Sequence, residues 1–167
     1  MKTALLFVVA LLTIPAAAEV TTVILVRHGE KTSVKEADPP LSEAGQARAS
    51  ELARVLAGTK IDAIYTTEYI RTRDTAAPVA GAQGVEAKVF PNSRTYAPDL
   101  AKHIRAEHKG ETVLVVGHSN TTVEVLRHLG VVDPKPIPES QFDDFFVVTL
   151  AGDHVRVMPL RYGAPAR

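Results

Sequence analysis

Thr21-Thr22-Val23-Ile24-Leu25-Val26 runs straight into Arg27-His28-Gly29-Glu30. A β-branched and aliphatic stretch with no alternating polar side reads as a strand covered on both faces, which is the habit of a parallel sheet. The abrupt change to Arg-His-Gly marks its carboxyl end. The same pattern returns at Thr112 to Val116, which stops at Gly117-His118-Ser119-Asn120. Between and after these two strands the chain alternates. Ser42 can cap a helix carrying Ala49, Leu52, Ala53 and Leu56 and stopped by Gly58. Ile61 to Thr66 is a short strand, and Thr67 is placed to cap a helix towards Gly81, with Pro78 an irregularity near its end. Val85 to Phe90 is a weak strand, and residues 98 to 109 form a helix with Pro98 and Asp99 in its first turn and Gly110 beyond it. A helix follows Asn120 as far as Leu129, and residues 131 to 141, with three prolines, form a loop. Phe145 to Leu150 and Val155 to Leu160 flank Ala151-Gly152-Asp153-His154 as a hairpin. The expected fold is therefore α/β in three layers: a mainly parallel sheet, helices on both faces, and a C-terminal antiparallel hairpin.

The whole sequence of 167 residues is 46% apolar and 23% charged, within the range of ordinary globular proteins. Residues 1–18 read as an export signal: Lys2, an uncharged run from Ala4 to Ile14, then Pro15-Ala16-Ala17-Ala18 as an Ala-x-Ala cleavage site. Residues 19–167 then make one domain, with no later run long enough to span a bilayer. Nineteen basic residues balance nineteen acidic ones, so the electrostatic footprint of a nucleic-acid binder is absent. Without a cysteine there is no thiol chemistry, no disulfide and no Cys-type metal site. An exported chain of this kind suits a bacterial periplasm or secretion.

In an open α/β sheet, ligands sit outside the carboxyl ends of the strands. Arg27 and His28 follow one buried strand, Arg71 opens the helix after the second, and His118 and Ser119 follow another. Two guanidiniums and two imidazoles, with neither a cluster of metal-type carboxylates nor a glycine-rich cradle, describe a pocket for a small dianion such as a phosphoryl group. The free amides of the helix after Ser119 would add to it. A zinc site has only two histidines to draw on and no third ligand at a familiar spacing, so neither metal nor cofactor is expected. As structural ion pairs the arginines would reach Glu30 or Asp74. His103, His108, His128 and His154 lie outside any motif and read as surface or packing residues.

Taken in order, Arg27-His28-Gly29-Glu30, Leu41-Ser42-Glu43-x-Gly45, Thr67-x-x-x-Arg71-x-x-x-Thr75-Ala76 and Gly117-His118-Ser119 resemble the motifs of the histidine phosphatase superfamily, the phosphoglycerate-mutase-like fold. The resemblance implies that His28 is the nucleophile, forming a phosphohistidine with its second nitrogen held as a donor by a backbone carbonyl. It also implies that Arg27, Arg71 and a protonated His118, joined by Ser119, bind the phosphoryl oxygens. The general acid is expected from the segment before the third helix, where residues 90 to 100 offer Asp99 alone; Glu30 and Asp38 are the other candidates. The expected activity is an exported, metal-independent phosphatase for phosphomonoesters or phosphohistidine. The alternatives are a low-activity module that binds phosphorylated envelope lipid or polysaccharide, and a phosphoglycerate-mutase-like phosphotransferase. The short span between Thr66 and Thr112 leaves no room for a lid domain, so the pocket should be shallow and its partner a phosphorylated small molecule or a phosphate displayed on a larger envelope molecule.

Overall fold

A computed structural model describes residues 19–32 and 36–165. The expected export signal, residues 1–18, lies outside them. Six strands form one sheet: β1 (Thr21–Arg27), β2 (Ala63–Thr66), β3 (Ala87–Val89), β4 (Thr112–Gly117), β5 (Asp144–Ala151) and β6 (His154–Arg161), in the spatial order β3-β2-β4-β1-β5-β6. The first four are mutually parallel, and β5 and β6 run antiparallel at one edge. Four helices connect them: α1 (Glu43–Val55), α2 (Ile70–Gln83), α3 (Tyr96–Glu107) and α4 (Ser119–His128). No helix among the described residues is long and apolar enough to cross a membrane.

The continuous apolar run of β1 has the physical basis inferred from its sequence. Val23 and Leu25 point into a core shared with Leu100 and Ile104 of α3 and Leu126 of α4. Ile24 and Val26 point the other way, onto Leu52 of α1 and Val79 of α2. Because side chains alternate along a strand, both registers must be apolar when helices cover both faces. β4 divides in the same way, Val113 and Val115 against Leu114 and Val116.

Two helix starts differ from expectation. α2 begins at Ile70, and its first amide is capped across space by Asp38, whose carboxylate accepts from Ile70 N at 3.0 and 3.1 Å. Thr67 is not the cap because its hydroxyl is engaged with Thr72 and His118. α3 starts at Tyr96, two residues early, with Pro98 still in the first turn, where a missing N–H costs no helical bond. Pro78 sits inside α2 without ending it.

Candidate active site

Register places the two motif histidines. Arg27 of β1 lies opposite Gly117 of β4, so His28 and His118 leave adjacent strand ends side by side. Their rings stand edge to face with centroids 5.3 Å apart. His28 N donates to Gly117 O at 2.9 Å. Gly29 N donates to Thr75 Oγ1 at 2.9 Å, which explains the threonine four residues after Arg71. Gly45 is a packing residue: a Cβ there would stand 2.1 Å from Glu30 O, and one on Gly29 would stand 2.8 Å from Gly45 O. The start of α1 therefore lies directly against the His28–Glu30 loop and holds it in place.

His28 is 3% exposed, and its Nδ1 is 2.7 Å from the Gly29 carbonyl. A carbonyl can only accept, so Nδ1 carries the hydrogen and Nε2 keeps its lone pair. Burial pushes His28 down to about 3, with His118, Arg27 and Arg71 adding to the effect against the Gly29 hydrogen bond. The ring is thus neutral across the physiological range. Burial, then Arg71, holds His118 near 4, so the free site carries a neutral ring where a protonated one was expected. His118 Nε2 is 3.0 Å from Thr67 Oγ1, which also bonds Thr72 Oγ1 at 2.9 Å. The cause is simple: desolvation beside a fixed guanidinium opposes a second positive charge.

Arg27, Arg71, His28, His118 and Ser119 line one open cleft of about 270 Å³, small beside the several hundred Å³ of a typical ligand pocket. A larger, mostly apolar groove of about 460 Å³ lies between the 131–138 loop and β6, and none of the motif residues lines it. The chemistry locates the site in the smaller cleft. Arg27 is 1% exposed, and its Nη1 donates to the carbonyls of Pro138, Glu139 and Gln141, each at 2.9 Å. Its Nη2 pairs with Glu139 Oε2 at 2.7 Å. Arg71 pairs with Asp38 at 3.2 Å and stacks over Tyr69. The ion-pair partners are therefore Glu139 and Asp38, neither Glu30 nor Asp74. The Nε atoms of Arg27 and Arg71 are buried with no hydrogen-bond partner among the described residues. Unpaired guanidinium donors beside two imidazoles suit an oxyanion. Among the described residues, no group of three or more His, Asp and Glu is placed to hold a metal ion.

The three candidate acids lie elsewhere. Asp99 is exposed on α3 and does not line the cleft, because the early start of α3 leaves it on a solvent-facing turn. Glu30 is held by Arg48 through three contacts of 2.7 to 3.2 Å; burial raises its proton affinity, but Arg48 outweighs that and keeps it ionised. Asp38 caps α2 and pairs with Arg71. In their place the cleft holds Glu139, Lys31, Tyr69, Asn92 and Asn120. None of these carried a signal in the sequence beyond Lys31 adjoining the first motif, and Glu139 belongs to a proline-rich segment that reads only as a connection.

The model of the histidine phosphatase superfamily (branch 1) matches residues 23–94. The fold is similar to that of a mycobacterial glucosyl-3-phosphoglycerate phosphatase, at 14% identity and a TM-score of 0.67 over 87% of this chain and 99% of that one. It is also similar to the protein histidine phosphatase SixA complexed with tungstate, at 18% identity and a TM-score of 0.68 over 84% and 96% of the two chains. A phosphoglycerate mutase from Bacillus anthracis gives 16% identity and a TM-score of 0.64 over 86% and 94%. No curated protein sequence matches the chain. The expected family resemblance is borne out by the matched residues, and the solved structures share the expected fold.

Proposed function

We propose that this chain, whose resemblance to the histidine phosphatase superfamily rests on its ordered motifs, the matched residues 23–94 and the shared fold, hydrolyses phosphomonoesters or phosphohistidine through a phosphorylated His28. The observation that carries the reading is the state of His28: Nδ1 tied to a carbonyl, Nε2 free, and two arginines, each with a buried and unpaired Nε, among the residues lining the same cleft. Nε2 attacks phosphorus, the bond to the leaving oxygen breaks, and water then cleaves the phosphohistidine. Arg27 and Arg71 stabilise charge on the non-bridging oxygens, where most of the rate gain in phosphoryl transfer arises. Ser119 and the start of α4 supply further donors at the same place. A bound dianion favours the protonated form of His118, by reversing the local charge.

The cleft has room for a phosphoryl group but does not enclose what the group is attached to. This favours hydrolysis over return of the phosphoryl group to a held product. It also favours either a small phosphorylated molecule or a phosphate displayed on a larger envelope component. Export through residues 1–18 belongs to the same proposal, as does independence from metal, since fixed cations supply the positive field. The tungstate in the SixA complex, a tetrahedral oxyanion on a similar fold, supports the anion reading.

The test is rapid quenching of the mature protein with labelled substrate. Label stable in alkali, lost in acid and mapped to His28, with turnover unchanged by a chelator, is the expected result. Label on Ser119, or turnover restored only by a divalent ion, would overturn it.

A further inference from the structure

A leaving alkoxide needs a proton; Glu30 and Asp38 are committed to other partners, and Asp99 is exposed away from the cleft. Glu139 is the one acidic side chain among the described residues lining the cleft. Its backbone is fixed from below, because Arg27, the residue preceding the nucleophile, binds the carbonyls of Pro138, Glu139 and Gln141. Its carboxylate bridges Arg27 Nη2 and the Ser119 hydroxyl. The two ends of the cleft differ in depth: His28 is 3% exposed on the floor, and the Glu139 side chain is 75% exposed at the rim. In-line displacement puts the leaving oxygen opposite the attacking nitrogen, which here means towards the rim.

We infer that Glu139 is the general acid that protonates the leaving oxygen, an inference that rests on the reading of His28 as nucleophile. Ser119 and Arg27, with Lys31 adding, hold the carboxyl below its ordinary range. Arg71 from α2, His118 and Asn120 share the cleft with it. A dianion that draws Ser119 and Arg27 onto its own oxygens removes two of the neighbours that kept Glu139 ionised and sets negative charge beside it. Both changes load it with a proton. As the Nε2–P bond forms and the P–O bond breaks, the electron pair of the broken bond goes to the leaving oxygen, which takes that proton. In the second half, the Glu139 carboxylate takes a proton from the water that attacks phosphorus, and the electron pair of the P–N bond returns to His28.

The test compares Glu139→Gln with the parent in single-turnover phosphorylation by an alkyl phosphate and by phenyl phosphate. Glutamine can still bond Arg27 and Ser119, so a melting curve should be unchanged. The expected result is a loss on the order of 10²-fold or more with the alkyl substrate and less than about 10-fold with the phenyl one, because phenol near pKa 10 leaves without much help. Labelled phosphohistidine should then accumulate, since its hydrolysis has lost the base, and Glu139→Asp should restore part of the alkyl rate. Equal losses on both substrates overturn the inference. So does faster turnover with tighter inorganic phosphate binding, which would make Glu139 a competitor for Arg27. If the parent itself never labels His28, the underlying reading fails first, and the two failures are told apart by that control.

Discussion

Two pairs of histidines in this chain stand in opposite bonding situations. His28 and His118, at the carboxyl ends of β1 and β4, face a cleft among guanidiniums, and His28 keeps one ring nitrogen unpaired. His103 and His108, on and just beyond α3, close around the Tyr65 hydroxyl, each through Nε2 at 2.8 Å, and His108 Nδ1 meets Glu111 Oε2 at 2.6 Å. With His108 neutral, its Nδ1–H donates to the carboxylate, so its Nε2 accepts the phenol hydrogen and His103 Nε2–H donates to the phenol oxygen. Both ring nitrogens of His108 and Nε2 of His103 are bonded to neighbours, whereas at His28 Nδ1 alone is.

The largest effect that could break this contrast is at the floor of the cleft. His28→Ala should lower turnover by at least about 10³-fold with the fold retained, and full activity in a folded variant would sink the covalent route. Next comes Arg71→Ala, expected to cost roughly 10²- to 10³-fold in kcat/KM, comparable to removing an oxyanion donor. Steady-state kinetics with phenyl phosphate would show this.

The buried, neutral state of the reactive pair also has a stability consequence. An unfolded chain protonates these rings near the ordinary histidine value, whereas the folded protein resists until about 3 for His28 and about 4 for His118. The folded state therefore binds fewer protons in that window. Stability is full above about 6.5 and falls as pH drops towards those values, by on the order of 3 kcal/mol for His28. Denaturant melts between pH 7 and 4 test this, and inorganic phosphate should offset part of the loss. A melt that does not change over this range would mean the rings are protonated in the fold.

Tyr65→Phe probes the other pair. It removes a buried hydroxyl with two imidazole partners and should cost about 1–3 kcal/mol of stability while leaving turnover unchanged. A matching loss of activity would mean that the two clusters are coupled. The smallest expected effect is at Asp99, exposed on α3: Asp99→Asn should alter turnover less than about twofold, equally for alkyl and phenyl phosphates.

How much of this was legible depended on whether the cause was local. The β1 and β4 strands were readable because burial on both faces requires two apolar registers in consecutive residues. The meeting of Arg27, His28, His118 and Ser119 at their ends was readable because a strand end is a fixed address in an α/β sheet. The cap at Ser42 was local too, and its side chain accepts from Gly45 N as expected of an N-cap. The cap on α2 was not, because Asp38 reaches it from 32 residues away and leaves Thr67 for His118.

Residue types, strand order along the chain and the motif histidines were thus settled by short-range pattern, since helix and strand periodicity and steric demand act over a few residues. Tertiary structure decided which carboxylates meet the cleft and which protons the histidines hold. Glu139 joins Arg27 across a separation of 112 residues, an approach no local period encodes. Asp99, close to the expected position in sequence, faces solvent. Protonation followed the same division, because a charge is priced by the water removed from it and by neighbours in space, and both exist only once the chain has closed around the site.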